Sequence, residues 1–245
     1  MLHAVTRGTF RLDAVLHVDL PGPVLGITAA GPSAVGLIGP GVPDLQLRSE
    51  QPQAHVESLI PLVKAVLGQA GLEPAALAAV AVGTGPAPYT GLRVGLATAR
   101  ALAFALDRPV WGVSDLDVLA ADAVSRLNLQ EGLRLLVATD AKRQEVYWAR
   151  YQVEDSAAGE GLTLLEGPAV GAPEQVPAAE VVVGEGAAKY SAVLGPPAGD
   201  LTRVDPVVLA RLAAWRAAQG QDLPSDPLYL RRPHVQVPGA PKRAT

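Results

Sequence analysis

The sequence predicts a layered α/β protein in which crossover helices lie on mixed sheets, and three observations carry that reading. Short apolar runs alternate with longer segments of 3.6-residue periodicity, as strands alternate with helices in layered folds. A run at 78–82 passes through a Gly/Pro loop into a helix from Gly91, and another run follows at 109–113, the order of a strand, helix, strand crossover. Two β-type runs, 133–140 and 144–153, then flank a tight polar turn.

Residues 24–28 and 34–38 are apolar runs joined by AAGPS, a hairpin signal, with a third strand near 45–48. In the helix at 54–70, Leu59, Leu62, Val63, Val66 and Leu67 share one stripe while Glu57 and Lys64 lie elsewhere, so it is amphipathic. Gly83, Gly85 and Gly91 allow close approach, and Pro86 and Pro88 stiffen the turns between them. Thr90 is placed to cap the helix that follows, whose first turn carries Arg93 and free N–H groups that favour an anion. Gly85, Thr90, Gly91 and Arg93 are therefore candidate nucleotide or phosphate contacts. From Gly91 to Ala105 small or apolar residues occupy nearly every face, which predicts burial all round, either by this chain's core or partly by a second chain.

Ser114 with Asp117 reads as a capping box opening a helix over 115–126. Val146, Trp148 and Tyr151 cannot share one face of a regular strand, which predicts a bulge. Residues 154–180 are weakly specified around one strand at 162–165, and 181–186 is a buried strand ending in a glycine turn. Asp205 and Pro206 form an N-cap and N1 pair for a helix to Ala218, after which the chain is proline-rich and extended.

The 245 residues, 49% hydrophobic and 18% charged, suffice for one large domain or two lobes with a sizeable core. No apolar run approaches the roughly 20 residues needed to span a bilayer. The N-terminal segment interrupts its apolar residues with Arg, Asp and His, unlike a secretory signal, so a cytoplasmic protein is expected. The absence of cysteine excludes disulfides, thiol catalysis and cysteine-bound zinc. A net charge of −4 lacks the basic footprint of a protein that holds nucleic acid by itself. Arg231, Arg232, Lys242 and Arg243 give a basic C-terminal end, read as a solvated tail.

His55 has no second histidine at i+4 or i+5 and reads first as a polar helix-start residue. Asp140, Lys142, Arg143 and Glu145 cluster at one turn, a pattern that suits a solvated hairpin or acid/base work. Arg93, in an apolar segment, calls for a partner: an internal carboxylate, a ligand phosphate or a carboxylate of another subunit. No Ser-His-Asp order, HExxH, P-loop or zinc pattern is present.

GTGPAPYTGLRVGLATARALAFALDRPVWGVSDLDVLA (83–120) resembles the signature region of the TsaB (YeaZ) family, the non-catalytic partners in bacterial synthesis of the tRNA modification threonylcarbamoyladenosine. Residues 53–72, 138–151 (ATDAKRQEVYWARY) and 226–233 (DPLYLRRP) resemble three further family segments in the same order. The resemblance implies a two-lobed actin-like ATPase fold (ASKHA, ribonuclease H-like) with a reduced second lobe. Its expected divisions are a flexible extension at 1–22, a first lobe at 23–113, a second at 114–203, a helix at 204–219 that returns to the first lobe, and an extended tail at 220–245.

It also implies that the helices at 54–70 and 91–106 form a bundle with a TsaD-type catalytic subunit, through His55, Leu59, Leu62, Val63, Val66, Leu92, Gly95, Leu96, Ala99 and Leu102. Neither catalytic nor metal-binding residues are expected on this chain. No cofactor would bind it alone, ATP or ADP and a metal being carried by partners that include a TsaE-type ATPase. tRNA would be met only through the complex, and a homodimer is a further option without the partner. Two departures from the family pattern weigh against independent nucleotide chemistry: Thr28 stands where an Asp is usual, and Ala87, Pro88 and Tyr89 stand where Gly, Ser and Phe are usual. The rival reading is a stand-alone actin-like ATPase or small-molecule kinase using the 83–93 loop.

Overall fold

Apolar runs without polar alternation form strands that must be covered on both faces, and this chain builds two sheets from them. The computed structural model describes residues 18–50, 55–154 and 161–231. Most of the expected extension at 1–22, with Arg232, Lys242 and Arg243, lies outside the described residues.

The first sheet has strand order β3-β2-β1-β4-β5. Its strands are β1 (Val24–Thr28), β2 (Ala34–Gly39), β3 (Val42–Arg48), β4 (Ala79–Gly83) and β5 (Val110–Val113). β1 runs antiparallel to β2 and parallel to β4, and β4 parallel to β5. Helices α1 (His55–Ala70) and α2 (Tyr89–Leu106) cover one face, where Leu59, Val63, Leu92, Leu96 and Ala99 pack on Leu25, Ile27, Val80 and Val82.

The second sheet, ordered β8-β7-β6-β9, comprises β6 (Arg134–Asp140), β7 (Val146–Glu154), β8 (Gly161–Gly171) and β9 (Val181–Val183). Between the sheets lie α3 (Asp115–Leu127) and α6 (Pro206–Ala218), in a core shared by Val24, Ala81, Leu116, Val137, Tyr151 and Leu212. Two short helices, α4 (Glu185–Lys189) and α5 (Ser191–Leu194), follow β9, and Ala187 of α4 packs with Leu136 and Val182. This is the layered α/β architecture expected from the sequence, with one sheet in each of two lobes. Among the described residues no helix is long and apolar enough to cross a membrane.

Helix α6 leaves the second lobe and seats on the first sheet because Gly26 and Gly36 pair across β1 and β2. A Cβ at Gly26 would lie 2.1 Å from the Pro206 carbonyl oxygen, and one at Gly36 2.7 Å from the Pro206 carbonyl carbon, so only glycine admits the helix start there. The expected cap forms, with Asp205 Oδ1 accepting from the N–H groups of Val207 (2.8 Å) and Val208 (3.3 Å).

Several local expectations change. β3 starts at Val42 and β8 runs to Gly171, both longer than predicted, because strand pairing extends weakly patterned segments. The β7–β8 register shifts on both sides of Arg150, which supplies the expected bulge. Helix α2 begins at Tyr89 with Pro88 at its N-cap, so Thr90 lies inside the first turn and caps nothing. Ser114 makes no side-chain cap. Asp117 instead accepts hydrogen bonds from the Tyr151 hydroxyl (2.7 Å) and the Arg216 guanidinium (2.7 Å), joining α3, β7 and α6. Burial, with the adjacent Asp117 carboxylate, pushes the Tyr151 phenol well above its ordinary pKa.

Candidate functional site

Helix α2 is apolar nearly all round, yet among the described residues only one side of it is covered. Leu92, Gly95, Leu96, Ala99 and Ala103 are buried against the sheet. Ala97, Ala101, Phe104 and Ala105 are exposed, with Phe104 at 90%, so the described residues supply only part of the expected cover. The spacing 97, 101, 104 follows the helical repeat, so these side chains form one outward stripe. On the neighbouring α1, Ile60 is 44% exposed and Pro61, Lys64, Ala65 and Gly68 face solvent.

The interface residues read from the sequence lie mostly on the inward faces of the two helices. Leu59, Val63, Val66, Leu92, Gly95, Leu96 and Ala99 are the inward stripes that fix both helices to the sheet, because a 3.6-residue apolar repeat is satisfied first by the chain's own core. Leu62 and Leu102 are half-buried at the stripe edges. His55 begins α1, and its side chain lies outside the described residues.

The glycine loop before α2 lines a cleft of about 660 Å³ between the lobes. Gly31, Pro86, Ala87 and Gly91 contribute from the first lobe, and Thr139, Asp140, Lys142 and Glu185 from the second. Of the four candidate phosphate contacts, Gly91 lines the cleft, Gly85 is buried behind it, and Thr90 and Arg93 are exposed. Among the described residues Arg93 finds neither a carboxylate nor a place in the cleft. Its guanidinium sits 5.4 Å from the Tyr89 ring centre and 5.5 Å from that of Tyr229, and Nε donates to the Tyr229 hydroxyl at 2.8 Å.

Asp115 lines the cleft with only 2% exposure, and its Oδ1 has no hydrogen-bond partner among the described residues. Burial pushes its carboxyl up to about 7, partly offset by a hydrogen bond from the Gly85 backbone. The absence of a side chain at Gly83 makes room for it, since a Cβ there would lie 2.2 Å from Oδ1. Thr28, 3% exposed at the end of β1, lines the same cleft without contributing charge.

The charged turn between β6 and β7 is built into the fold rather than simply solvated. Asp140 is 7% exposed and accepts from the ammonium groups of Lys142 (2.7 Å) and Lys189 (3.1 Å). Burial opposes its ionisation, but the bonds from Lys142 and Lys189 outweigh it and hold the carboxyl below its usual range. Lys142, Arg143 and Gln144 all adopt left-handed backbone, with φ of 62, 53 and 61°. Glu145 pairs with Arg231, so Arg231 belongs to this site and not to a solvated tail. Sequence reasoning missed Asp115 and the Tyr89–Arg93–Tyr229 stack; the LYLRR motif, noted only as a resemblance, was the available signal for the latter.

Residues 49–193 match the family model described as TsaD, tRNA N6-adenosine threonylcarbamoyltransferase. An uncharacterized protein of Mycobacterium tuberculosis is 39% identical over 184 residues, covering 75% of this chain and 78% of its own. The Escherichia coli protein named tRNA threonylcarbamoyladenosine biosynthesis protein TsaB is 34% identical over 110 residues, covering 45% of this chain and 46% of its own. A solved Pseudomonas aeruginosa structure described as similar to peptidase YeaZ superposes with a TM-score of 0.73 at 31% identity, covering 86% of this chain and all of that one. YeaZ from the same organism superposes at 0.70 with 29% identity, covering 85% of this chain and all of that one. With motif order, fold and relatives in agreement, the chain belongs to the TsaB (YeaZ) family.

Proposed function

We propose that this chain is the non-catalytic subunit of a complex that transfers threonylcarbamoyl to the tRNA adenosine beside the anticodon, and that it acts by pairing with a TsaD-type catalytic subunit. The relatives named for threonylcarbamoyladenosine biosynthesis support the pathway. The observation that carries the pairing is the outward stripe of α2, where Phe104 stands 90% exposed among alanines. Burying a phenylalanine side chain contributes roughly 1.5–3 kcal/mol, and flanking alanines let a second helix backbone approach closely. The interface in this reading uses Ile60, Ala97, Ala101, Phe104 and Ala105, with Leu62 and Leu102 at its edges.

Chemistry is assigned to the partner because the cleft on this chain is poorly equipped for it. Thr28 brings no carboxylate from β1, Pro88 offers no N–H at the helix start, and Asp140 is engaged by two lysines of its own chain. In this reading ATP or ADP and the metal sit on the TsaD-type and TsaE-type subunits, and tRNA is met through the complex. The test is co-elution of the purified chain with the TsaD-type subunit. Ala101→Trp should abolish co-elution while circular dichroism and melting temperature stay unchanged; retained co-elution overturns the pairing. The cleft of about 660 Å³ favours a second reading, an independent ATPase, which magnesium-dependent ATP turnover by the isolated chain would establish.

A further inference from the structure

From the end of α6 to residue 231 the described residues form no helix or strand, yet residues 223–231 are fastened to both lobes. The Gly112 N–H of β5 donates to the Leu223 carbonyl at 3.0 Å. A Cβ at Gly112 would lie 2.2 Å from the Pro224 carbonyl oxygen, so the segment presses directly on the strand. Arg100 of α2 donates to the Ser225 hydroxyl (2.9 Å), the Ser225 carbonyl (2.6 Å) and Asp226 Oδ1 (2.9 Å). The Leu228 N–H donates to the Thr84 carbonyl at 2.8 Å, and the Tyr229 ring lies 5.2 Å from that of Tyr89.

The end of the segment then joins residues that adjoin the two sides of the cleft. The Tyr89 hydroxyl donates to the Arg231 carbonyl at 2.7 Å, while the Arg231 guanidinium donates to the Ala141 carbonyl at 3.2 Å and pairs with Glu145. Tyr89 adjoins the Pro86–Pro88 lip of the cleft, and Ala141 sits between Asp140 and Lys142 on the opposite lip. Arg231 thus holds one lip by its backbone and the other by its side chain. The turn it holds contains three consecutive left-handed residues, an arrangement that persists only when its surroundings over-determine it. Internal bonds from the Lys142 N–H to Asp140 and from the Glu145 N–H to Lys142 supply part of that constraint.

We propose that residues 223–231 are a latch: Arg231 ties the two lips together, sets the width of the interlobe cleft and keeps the 141–145 turn in its left-handed form. Arg93 and Arg100 grip the latch from the exposed side of α2, next to the docking stripe, so a subunit seated on α2 would bear on the latch as well. That coupling rests on the docking reading above, whereas the latch itself is a property of the isolated chain.

The chain has no cysteine, so Gly31→Cys and Ala188→Cys, both exposed and on opposite sides of the cleft, accept two spin labels for distance measurement in the full chain. The latched chain should give one narrow distance distribution. Arg231→Ala and Glu145→Gln should each broaden it and shift it outward by several ångströms, and amide exchange at 142–145 should rise by about tenfold or more. Should Arg231→Ala fail to fold, Glu145→Gln carries the test, since it keeps the side-chain shape and removes only the charge. Unchanged distances and unchanged exchange in the folded variant overturn the latch. Adding the TsaD-type subunit separates the two claims: binding with distances indifferent to Glu145→Gln sinks the latch alone, and a responsive latch without binding sinks the docking reading alone.

Discussion

Helices α2 and α6 are built from nearly the same residues, alanine and leucine with two arginines each, yet their surroundings are opposite. Around α6, Leu209, Ala210, Leu212, Ala213, Ala214 and Trp215 are all buried, and even Arg216 is inside, bonded to Asp117. Around α2 the inner half is buried, while Ala97, Ala101, Phe104 and Ala105 stand open and both arginines point outward to hold the C-terminal segment. An apolar circumference states that a helix will be covered; it does not state which chain covers it. In α6 the cover is the first sheet and α3 of the same polypeptide, and in α2 no described residue covers the outer half.

The internal cover of α6 can be broken most severely at Asp117. Asp117→Ala removes the buried carboxylate that bonds both the Arg216 guanidinium and the Tyr151 hydroxyl, which should cost about 3–5 kcal/mol, read as a lower denaturant midpoint. An unchanged midpoint would mean that α6 is not held from inside.

Next in size is Asp115, where the cleft meets the start of α3. Its folded pKa of about 7 lies above the ordinary carboxyl value, so the fold favours the protonated form. That contribution is complete below about pH 4 and is lost as pH rises through 7. Asp115→Asn should therefore match the parent at pH 4 and exceed its stability at pH 8 by up to about 4 kcal/mol, checked by melting across that range.

Gly26→Ala places a methyl group against the Pro206 carbonyl and should cost about 1–3 kcal/mol by lifting α6 from the sheet. Arg100→Ala, on the uncovered helix, removes an exposed ion pair with Asp226 and should lower stability by less than about 1 kcal/mol. A large loss there would mean that the outer side of α2 supports the fold and is not simply available.

What the sequence revealed follows the range of the interactions. The β1–β2 hairpin, the inward stripe of α1 and the Asp205 cap are set by neighbours within a few residues, and each was legible. Asp117 has the spacing of a capping residue, but Tyr151 and Arg216, distant in sequence, claim its carboxylate. The outward stripe of α2 was hidden because small residues on every side leave no periodicity to show which face meets the sheet. Arg93 was misjudged because its partner, Tyr229, lies 136 residues away.

The most direct measurement is calorimetric titration of the TsaD-type subunit with this chain and with its folded Ala101→Trp variant. A bulky ring at the centre of the open stripe should raise Kd by at least about a hundredfold while the variant melts like the parent. Equal affinities for the two would contradict the claim that another polypeptide covers the outer half of α2.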